Sequence, residues 1–247
     1  MANSPLKKLN SAEFHRETPG SKGVSRRSTG VYQRAAKRPK KKSNRRGRFI
    51  VLDGPDGAGK STQALRLAER LKARGIDVLA LREPGGSAVG EAIRSLVLEH
   101  RKEKMFALTE TFLFQAARAQ LIQEIIQPAL DAGKWVICDR FHLSTLVYQG
   151  FAGGVDPKGV RTLSTLACDG VKPDLYLVVW VAPKIGIARR ADRPADRMEA
   201  KGEKFIRDVA NAYRREAKRD KQYTFVDGVG SLEDVEARIW KHVEPEL

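Results

Sequence analysis

The stretch GPDGAGKS, residues 54–61, follows the apolar run RFIVLD (48–53) and opens the helical pattern STQALRLAERLKARG (61–75). It matches the pattern G-x-x-x-x-G-K-[ST], in which glycines let the backbone curl so that its N–H groups point at phosphate oxygens. The strand before and the helix after are the context that this pattern requires, and the helix N-terminus adds its dipole. The stretch therefore predicts a phosphate-binding loop. It does not say whether the phosphoryl group is transferred, hydrolysed or used as a switch.

Individual residues of the loop have expected roles. Lys60 is expected to reach the β- and γ-phosphates of ATP, and the Ser61 hydroxyl to bind Mg²⁺. The residues expected to contact ATP are Gly54, Pro55, Asp56, Gly57, Ala58, Gly59, Lys60, Ser61 and Thr62.

Strands and helices alternate through the rest of the body of the chain. Apolar, β-branched runs predict strands at 48–53, 76–83, 134–140, 174–181 and 223–228. Helical spacing predicts helices at 61–75, 89–99, 108–130 and 232–243, and two more on either side of a charged break near Pro194. This alternation predicts an α/β fold, a doubly wound parallel sheet of five strands with helices on both faces. Ligands of such sheets bind at the carboxyl ends of the strands, where the charged residues Asp53, Arg82, Glu83, Asp139 and Arg140 fall.

The net charge of +16 on 247 residues is concentrated at the N-terminus. Residues 1–46 carry +12 and the remainder +4. The first 46 residues are rich in Lys, Arg, Ser, Gly and Pro, which favours a disordered, solvated extension before a single domain at 47–247. Contact with nucleic acid or another anionic surface, a targeting peptide, and a start assigned too far upstream are the alternatives.

Cysteine usage and apolar runs bear on the compartment. Cys138 and Cys168 form no disulfide framework, which fits a reducing cytoplasm. No apolar run approaches the roughly 20 residues that span a bilayer, and the N-terminus lacks the apolar segment of a secretory signal. We therefore expect a cytoplasmic protein without membrane contact.

Five motifs resemble the thymidylate kinase family in order and spacing, over about residues 48–243. They are DGPDGAGKSTQ, REPGG, FLFQAARAQ, DRFHLSTLVYQG and PDLYLV. The resemblance implies a three-layer P-loop NTPase fold with a short arginine-rich lid. It also implies Mg²⁺- and ATP-dependent phosphorylation of dTMP to dTDP by direct in-line transfer. A homodimer formed through the apolar helices near 108–130 and 143–150 is implied as well.

Three residues have side chains suited to binding the nucleotide that accepts the phosphoryl group. Arg140 follows Asp139 at a strand end, so its guanidinium can clamp the acceptor phosphate in a bidentate manner; a structural ion pair with Asp139 is the alternative. Phe114 and Arg118 lie one helical turn apart on one face. Phe114 can stack on a pyrimidine or belong to the core, while Arg118 can hydrogen-bond the base edge and, if buried, needs a partner.

The resemblance adds further residues around the acceptor nucleotide, namely Arg94, Ser144, Thr145, Tyr148 and Gln149. It places Tyr148 near the 2′ position of the sugar, where a ring would crowd a ribose hydroxyl, and Ser144 or Thr145 at the base edge. Asp56 resembles a loop carboxylate that approaches the acceptor sugar and phosphate. Asp139 resembles a carboxylate that holds Mg²⁺ through water and orients Arg140, and Glu83 is a candidate for the same water network.

The predicted lid, residues 188–202, contains Arg189, Arg190, Arg193 and Arg197 around a proline. Mobile arginines can close over the charge that develops during phosphoryl transfer, although a charge run is more often a solvated face. Some members of the family carry a catalytic arginine in the phosphate loop, where this chain has Gly57. We therefore expect the catalytic cation in the lid, with Arg193 as first choice and Arg190 as second. The complete set of expected catalytic residues is Asp56, Lys60, Asp139, Arg140, Arg190 and Arg193.

Two rival functions follow from other features. A kinase acting on a nucleoside would need a carboxylate base for a hydroxyl acceptor, whereas Arg118 and Arg140 favour a phosphorylated one. An ATPase associated with nucleic acid would use the basic extension. Trp180 and Lys184 stand where the family commonly has acids, which bears on packing near the lid but on none of the residues assigned to phosphate or Mg²⁺.

Overall fold

The computed structural model describes residues 46–192 and 194–247. The expectations for residues 1–45, and the assignment of Arg193 as a catalytic residue, lie outside the described residues. Within the described ranges, no helix is long and apolar enough to cross a membrane.

A single five-stranded sheet forms the centre of the fold, and all its strands are parallel. The order is β2-β3-β1-β4-β5, and the strands are β1 Phe49–Asp53, β2 Val78–Arg82, β3 Trp135–Asp139, β4 Leu175–Trp180 and β5 Thr224–Asp227. All five predicted strands are confirmed, each a few residues shorter than its apolar run. Consecutive β1 residues are completely buried, as expected for a central parallel strand covered on both faces.

Helices cover both faces of this sheet. They are α1 Lys60–Ala73, α2 Ala88–Leu98, α3 Ala107–Leu121, α4 Gln127–Asp131, α5 His142–Thr145, α6 Pro157–Cys168, α7 Pro183–Ala188, α8 Glu203–Arg219 and α9 Leu232–Val243. Leu67 of α1 and Ile239 of α9 pack in the core on one face. Leu121 of α3, Val160 of α6 and Tyr213 of α8 pack in the core on the other. The three-layer α/β fold is therefore confirmed.

The long helix predicted at 108–130 is confirmed in extent, but it is not uniform. A π-helical segment, Ile122–Ile126, joins α3 to α4, and a second one, Leu146–Phe151, extends α5. Such segments change the direction of the side chains that follow them.

Helix α6 was missed by the sequence reasoning. The Asp156 side chain accepts hydrogen bonds from the N–H groups of Lys158 and Gly159, and Pro157 occupies the first turn. The sequence signal for the start of this helix therefore lies in neighbouring residues. An aspartate followed by proline is a recognisable helix start, so residues 156–157 were sufficient to find it.

Candidate active site

A cleft of about 820 Å³ opens at the carboxyl ends of β1, β2 and β3. It receives side chains from the phosphate loop, α2, α3, α5 and the lid. The predicted site residues that line it are Asp56, Gly57, Gly59, Lys60, Ser61, Thr62, Glu83, Arg94, Phe114, Arg118, Asp139, Arg140, Ser144, Thr145, Tyr148, Gln149 and Arg190. Gly54, Pro55 and Ala58 are buried residues of the loop and do not line the cleft. One cleft thus collects nearly all the described residues that the sequence assigned to the site.

The phosphate loop has the curled backbone that its glycines predict. Gly57 and Gly59 both have positive φ, at 79° and 87°, and Gly59 immediately precedes α1. Lys60 is only 5% exposed, and its ammonium group donates to the Pro55 carbonyl at 2.8 Å. Burial, and then the charge of Arg140, lower the pKa of Lys60 to about 8.

Gly57 is in tight contact with α7, the helix that leads into the lid. A Cβ atom added to Gly57 would lie 2.6 Å from the Cα atom of Gly186 in α7, and one added to Gly186 would collide with the Asp56 carbonyl oxygen. The loop and α7 therefore approach at van der Waals distance through two residues without side chains. This contact, together with the positive φ, is a physical reason why an arginine does not stand at position 57.

Ser61 and Asp139 meet between the loop and β3. The Ser61 hydroxyl donates to Oδ2 of Asp139, while Oδ1 of Asp139 is buried and has no hydrogen-bond partner among the described residues. A buried, unpaired carboxylate oxygen beside a hydroxyl suits Mg²⁺, which prefers oxygen ligands and retains several waters. The described part of the chain contains no group of three His, Cys, Asp or Glu residues able to hold a metal. An ion here would therefore take its other ligands from phosphate and water.

Arg140 has a different partner from the one proposed as the alternative. Its guanidinium pairs with Asp56 and approaches Asp53 at 3.8 Å, rather than pairing with Asp139. It also donates to the carbonyl of Gly54 at 3.1 Å. The reason is the backbone, since the positive φ of Arg140, 73°, turns its side chain away from the strand direction and toward the phosphate loop.

Asp56 is held between two cleft residues. It accepts from Arg140 and, at 2.6 Å, from the hydroxyl of Tyr148. Burial opposes ionisation of Asp56, but the charges of Arg140 and Lys60 outweigh it, and the pKa of Asp56 is lowered. Asp56 is therefore a carboxylate inside a positively charged cleft, beside the ring of Tyr148.

Asp53 orients this group of side chains; the sequence placed it at the ligand-binding edge of the sheet but gave it no role in the site. It is fully buried at the end of β1 and accepts hydrogen bonds at 2.7 Å from the hydroxyls of Ser144, Tyr176 and Tyr213. The two tyrosines come from β4 and α8, over 100 residues further along the chain. Ser144 also accepts from Arg140 at 3.1 Å, so Asp53 orients hydroxyl groups that accept hydrogen bonds from that guanidinium.

Arg118 has the partner that its burial required. It is 2% exposed, and it forms two hydrogen bonds to Oε2 of Glu83, from Nε at 2.9 Å and from Nη2 at 2.6 Å. Further bonds join it to Gln115 at 2.7 Å and Thr145 at 3.1 Å. Glu83, a candidate for the Mg²⁺ water network, is thus bound to Arg118. Burial raises the pKa of Glu83 although Arg118 opposes the shift.

Three other predicted acceptor residues lie along the same wall. Phe114 is half-buried and lines the cleft one turn before Arg118, outside both core clusters. Arg94 donates to the Pro84 carbonyl at 2.8 Å, and Gln149 is buried and donates to Glu110 at 3.2 Å. The reading of Phe114 as an ordinary core residue is therefore not supported.

The described lid arginines differ in position. Arg190 lines the cleft and pairs with Glu199 at 2.9 Å. Arg189 donates to the Gly228 carbonyl at 3.1 Å, and Arg197 pairs with Glu110 at 2.7 Å. Of these three, only Arg190 lines the cleft.

Trp180 donates to the Ala210 carbonyl at 2.9 Å and so ties β4 to α8.

By its sheet, its loop and the charges around its cleft, the protein falls in the P-loop class of nucleotide-binding proteins. A model of the thymidylate kinase family matches residues 52–239. The chain is 41% identical to the thymidylate kinase of Afipia carboxidovorans, over 86% of this chain and 95% of that protein. It is 44% identical to that of Pseudomonas putida, over 78% and 93%, and 40% identical to that of Caldanaerobacter subterraneus subsp. tengcongensis, over 82% and 97%. The chain belongs to the thymidylate kinase family.

Proposed function

We propose that the protein transfers the γ-phosphoryl group of ATP to dTMP, forming ADP and dTDP. The family supports this reaction, and one observation on this chain carries it. The cleft that holds the phosphate loop also contains, on another wall, an aromatic ring, Phe114, and two arginines, Arg118 and Arg140. A pocket with these groups suits a nucleotide that is already phosphorylated, because the ring can cover a base and the arginines can bind its edge and its phosphate.

The donor half is the phosphate loop. Its N–H groups, the dipole of α1 and Lys60 together stabilise negative charge on the β- and γ-phosphates. In the free protein the Lys60 ammonium donates to the Pro55 carbonyl, so bound phosphate would replace that neutral acceptor with an anionic one. Ser61 and, through water, Asp139 would hold Mg²⁺, which neutralises charge on the phosphate oxygens when bound.

The acceptor half is pre-organised by ion pairing. The hydrogen bonds of Arg118 to described residues use four of its five N–H groups, which leaves one on Nη1 for the base edge. Its orientation is fixed before a ligand arrives, so little entropy is lost on binding. Tyr148 and Asp56 are assigned to the sugar side, and Thr145, Gln149 and Arg94 to the surrounding wall.

Arg140 is the proposed clamp for the acceptor phosphate. It already pairs with Asp56, so a phosphate must share or replace that carboxylate. No general base is required, because the attacking oxygen belongs to an anionic phosphate. The chain contributes positioning and electrostatic stabilisation to an in-line transfer without a covalent enzyme intermediate.

Arg193 and Arg190 are the proposed lid cations that stabilise the transferring phosphoryl group. Substitution of the catalytic one by alanine is expected to lower kcat by about 10³-fold, as removal of an arginine finger does. Arg193→Ala and Arg190→Ala are therefore compared in the same assay. Wild-type turnover in both variants would contradict the lid assignment.

The reaction is tested by measuring ADP release from ATP and Mg²⁺ against dTMP, dUMP, dCMP, dGMP, AMP and thymidine. We expect dTMP to give the highest kcat/KM. A preference for thymidine would indicate a nucleoside kinase. Hydrolysis that is stimulated by added DNA or RNA, with the stimulation lost when residues 1–46 are removed, would indicate the nucleic-acid-associated ATPase.

We also propose a homodimer formed through α3 and α6. Residues 143–150 offer no such surface, since Leu143, Leu146 and Val147 are buried within the chain. Large apolar side chains are exposed instead on α3, where Phe112 is 53% exposed, and on α6, where Leu166 is 77% exposed. Sedimentation equilibrium tests this proposal, and a monomer at micromolar concentration would contradict it.

A further inference from the structure

A buried carboxylate outside the cleft connects two of its walls. Glu110 lies in the first turn of α3 and is 1% exposed. It accepts hydrogen bonds from Arg197 at 2.7 Å, from Lys201 at 2.9 Å and from Gln149 at 3.2 Å. Burial opposes its ionisation, but the bonds from Lys201 and Arg197 outweigh burial and lower the pKa of Glu110.

The partners of Glu110 come from opposite sides of the site. Gln149 belongs to the π-helical segment after α5 and lines the acceptor wall of the cleft. Arg197 and Lys201 belong to the lid return, residues 197–201, which is the last part of the lid and leads into α8. Glu110 itself does not line the cleft, so any effect on the reaction must pass through these partners.

The return segment also carries the partner of the described lid cation. Glu199, which lies between Arg197 and Lys201, pairs with Arg190 at 2.9 Å. Arg197 is further held at the end of α2, because its Nε donates to the Val97 carbonyl at 2.8 Å. A chain of contacts therefore runs from the acceptor wall through Glu110 to the lid return, and from there to Arg190.

We propose that Glu110 is a positioning residue that fixes the lid return, and with it Arg190, relative to the acceptor pocket. This role rests on the proposed kinase function. Without the carboxylate, the cations of Arg197 and Lys201, whose side chains are 13% and 27% exposed, lose a shared counter-charge at a poorly solvated site. The return segment then moves to hydrate them, and Arg190 moves with it.

The expected consequence is kinetic. A misplacement of about 1 Å far from the chemistry can cost about 10²-fold in rate. Glu110→Gln is therefore expected to lower kcat by roughly 10- to 100-fold and to raise the KM for dTMP, because the amide has one acceptor oxygen in place of two, and Gln149 must share it with Arg197 and Lys201. The dissociation constant of ADP is expected to stay at the wild-type value, because Glu110 contacts no part of the phosphate loop.

A matched control separates positioning from stability. Glu216 on α8 is also 1% exposed and also pairs with an arginine, Arg161, at 2.6 Å, but it does not line the cleft or contact the lid return. Glu216→Gln is expected to lower Tm as Glu110→Gln does, with kcat and KM unchanged when both are assayed at least 15 °C below Tm. Equal kinetic constants in the two variants would overturn the proposal.

Two further measurements keep the inference testable if Glu110→Gln folds poorly. Lys201→Met removes the more exposed cation and is expected to lower kcat in the same direction by a smaller factor, whereas an unchanged kcat would contradict the role. Glu110→Asp is expected to recover part of the kcat that Glu110→Gln loses, and no recovery would also count against the role of Glu110.

The wild-type protein is measured with dTMP in every series. An inactive wild type would reject the proposed function, while an active wild type with unaffected variants would reject only the role of Glu110.

Discussion

The close contact between the phosphate loop and α7 can be tested by adding a single methyl group to α7. Gly186→Ala would place a Cβ atom closer than 3.0 Å to the Asp56 carbonyl oxygen, a separation that real Cβ atoms essentially never show. Ordinary van der Waals contact begins at 3.4 Å. Either α7 or the loop must therefore move by at least the 0.4 Å between these values, and the neighbour is backbone that cannot rotate aside.

The expected loss in rate follows from that displacement. The full shortfall from ordinary contact is about 1 Å, and a misplacement of 1 Å costs about 10²-fold, so kcat is expected to fall by roughly 10- to 100-fold. Alanine also favours the helix over glycine by about 0.5–1 kcal/mol, which offsets part of the clash, so Tm should change little. The variant should therefore lose activity without losing much stability.

Gly159→Ala is the matched control. Gly159 also lies inside a helix, α6, but an added Cβ atom would meet only Asp156, at 3.6 Å. We expect this variant to keep wild-type kcat and to gain slight stability. Both proteins are assayed with dTMP and ATP at saturation, by ADP release, with thermal unfolding in parallel. If Gly186→Ala keeps wild-type kcat, the loop and α7 are not in the tight contact that the structure indicates.

Three further predictions concern charges in the cleft. Since the pKa of Lys60 is about 8, ATP should bind with a nearly constant Kd up to about pH 7, about twofold more weakly at pH 8, and progressively more weakly above it, by up to tenfold per pH unit; titration calorimetry that gives a constant Kd to pH 9.5 would contradict this. Asp139→Asn should raise the Mg²⁺ concentration for half-maximal kcat by about 10- to 100-fold, and an unchanged Mg²⁺ titration would exclude that role. Glu83→Gln leaves Arg118 buried without its counter-charge and should lower the free energy of unfolding by about 3–5 kcal/mol in urea, whereas a loss below 1 kcal/mol would mean that water reaches the pair.

The parts of this molecule that could be predicted from sequence are those with a local signal. The five strands are short apolar runs between polar turns, and the phosphate loop is eight consecutive residues, so neither depends on distant partners. The helix at 157–168 also has a local signal, the Asp156–Pro157 start, so it too could have been predicted from the sequence.

The arrangement of charges in the site depends on distant residues and was not accessible in the same way. Arg140 pairs with Asp56 rather than with Asp139. The positive φ of Arg140 turns its side chain away from the direction of β3 and toward the phosphate loop. Tyr213 reaches Asp53 from 160 residues away. Sequence showed that Arg118 needs a partner if it is buried, but three-dimensional proximity was needed to identify that partner as Glu83.

The described lid segment is held on both sides of Arg190, which would position the proposed lid cation without placing it in the phosphate loop. At one end, Gly186 packs on the phosphate loop so closely that position 57 has no room for a side chain. At the other end, Arg197 is bound by the Glu110 carboxylate on the acceptor side. Between these two anchors, Arg190 is thus carried on a span that contacts both the phosphate loop and the proposed acceptor side. A change at an anchor should alter the position of the charge, whereas a change within the span should remove the charge itself. The two classes of variant should therefore differ in the size of their effect on kcat, although neither anchor requires contact with a nucleotide.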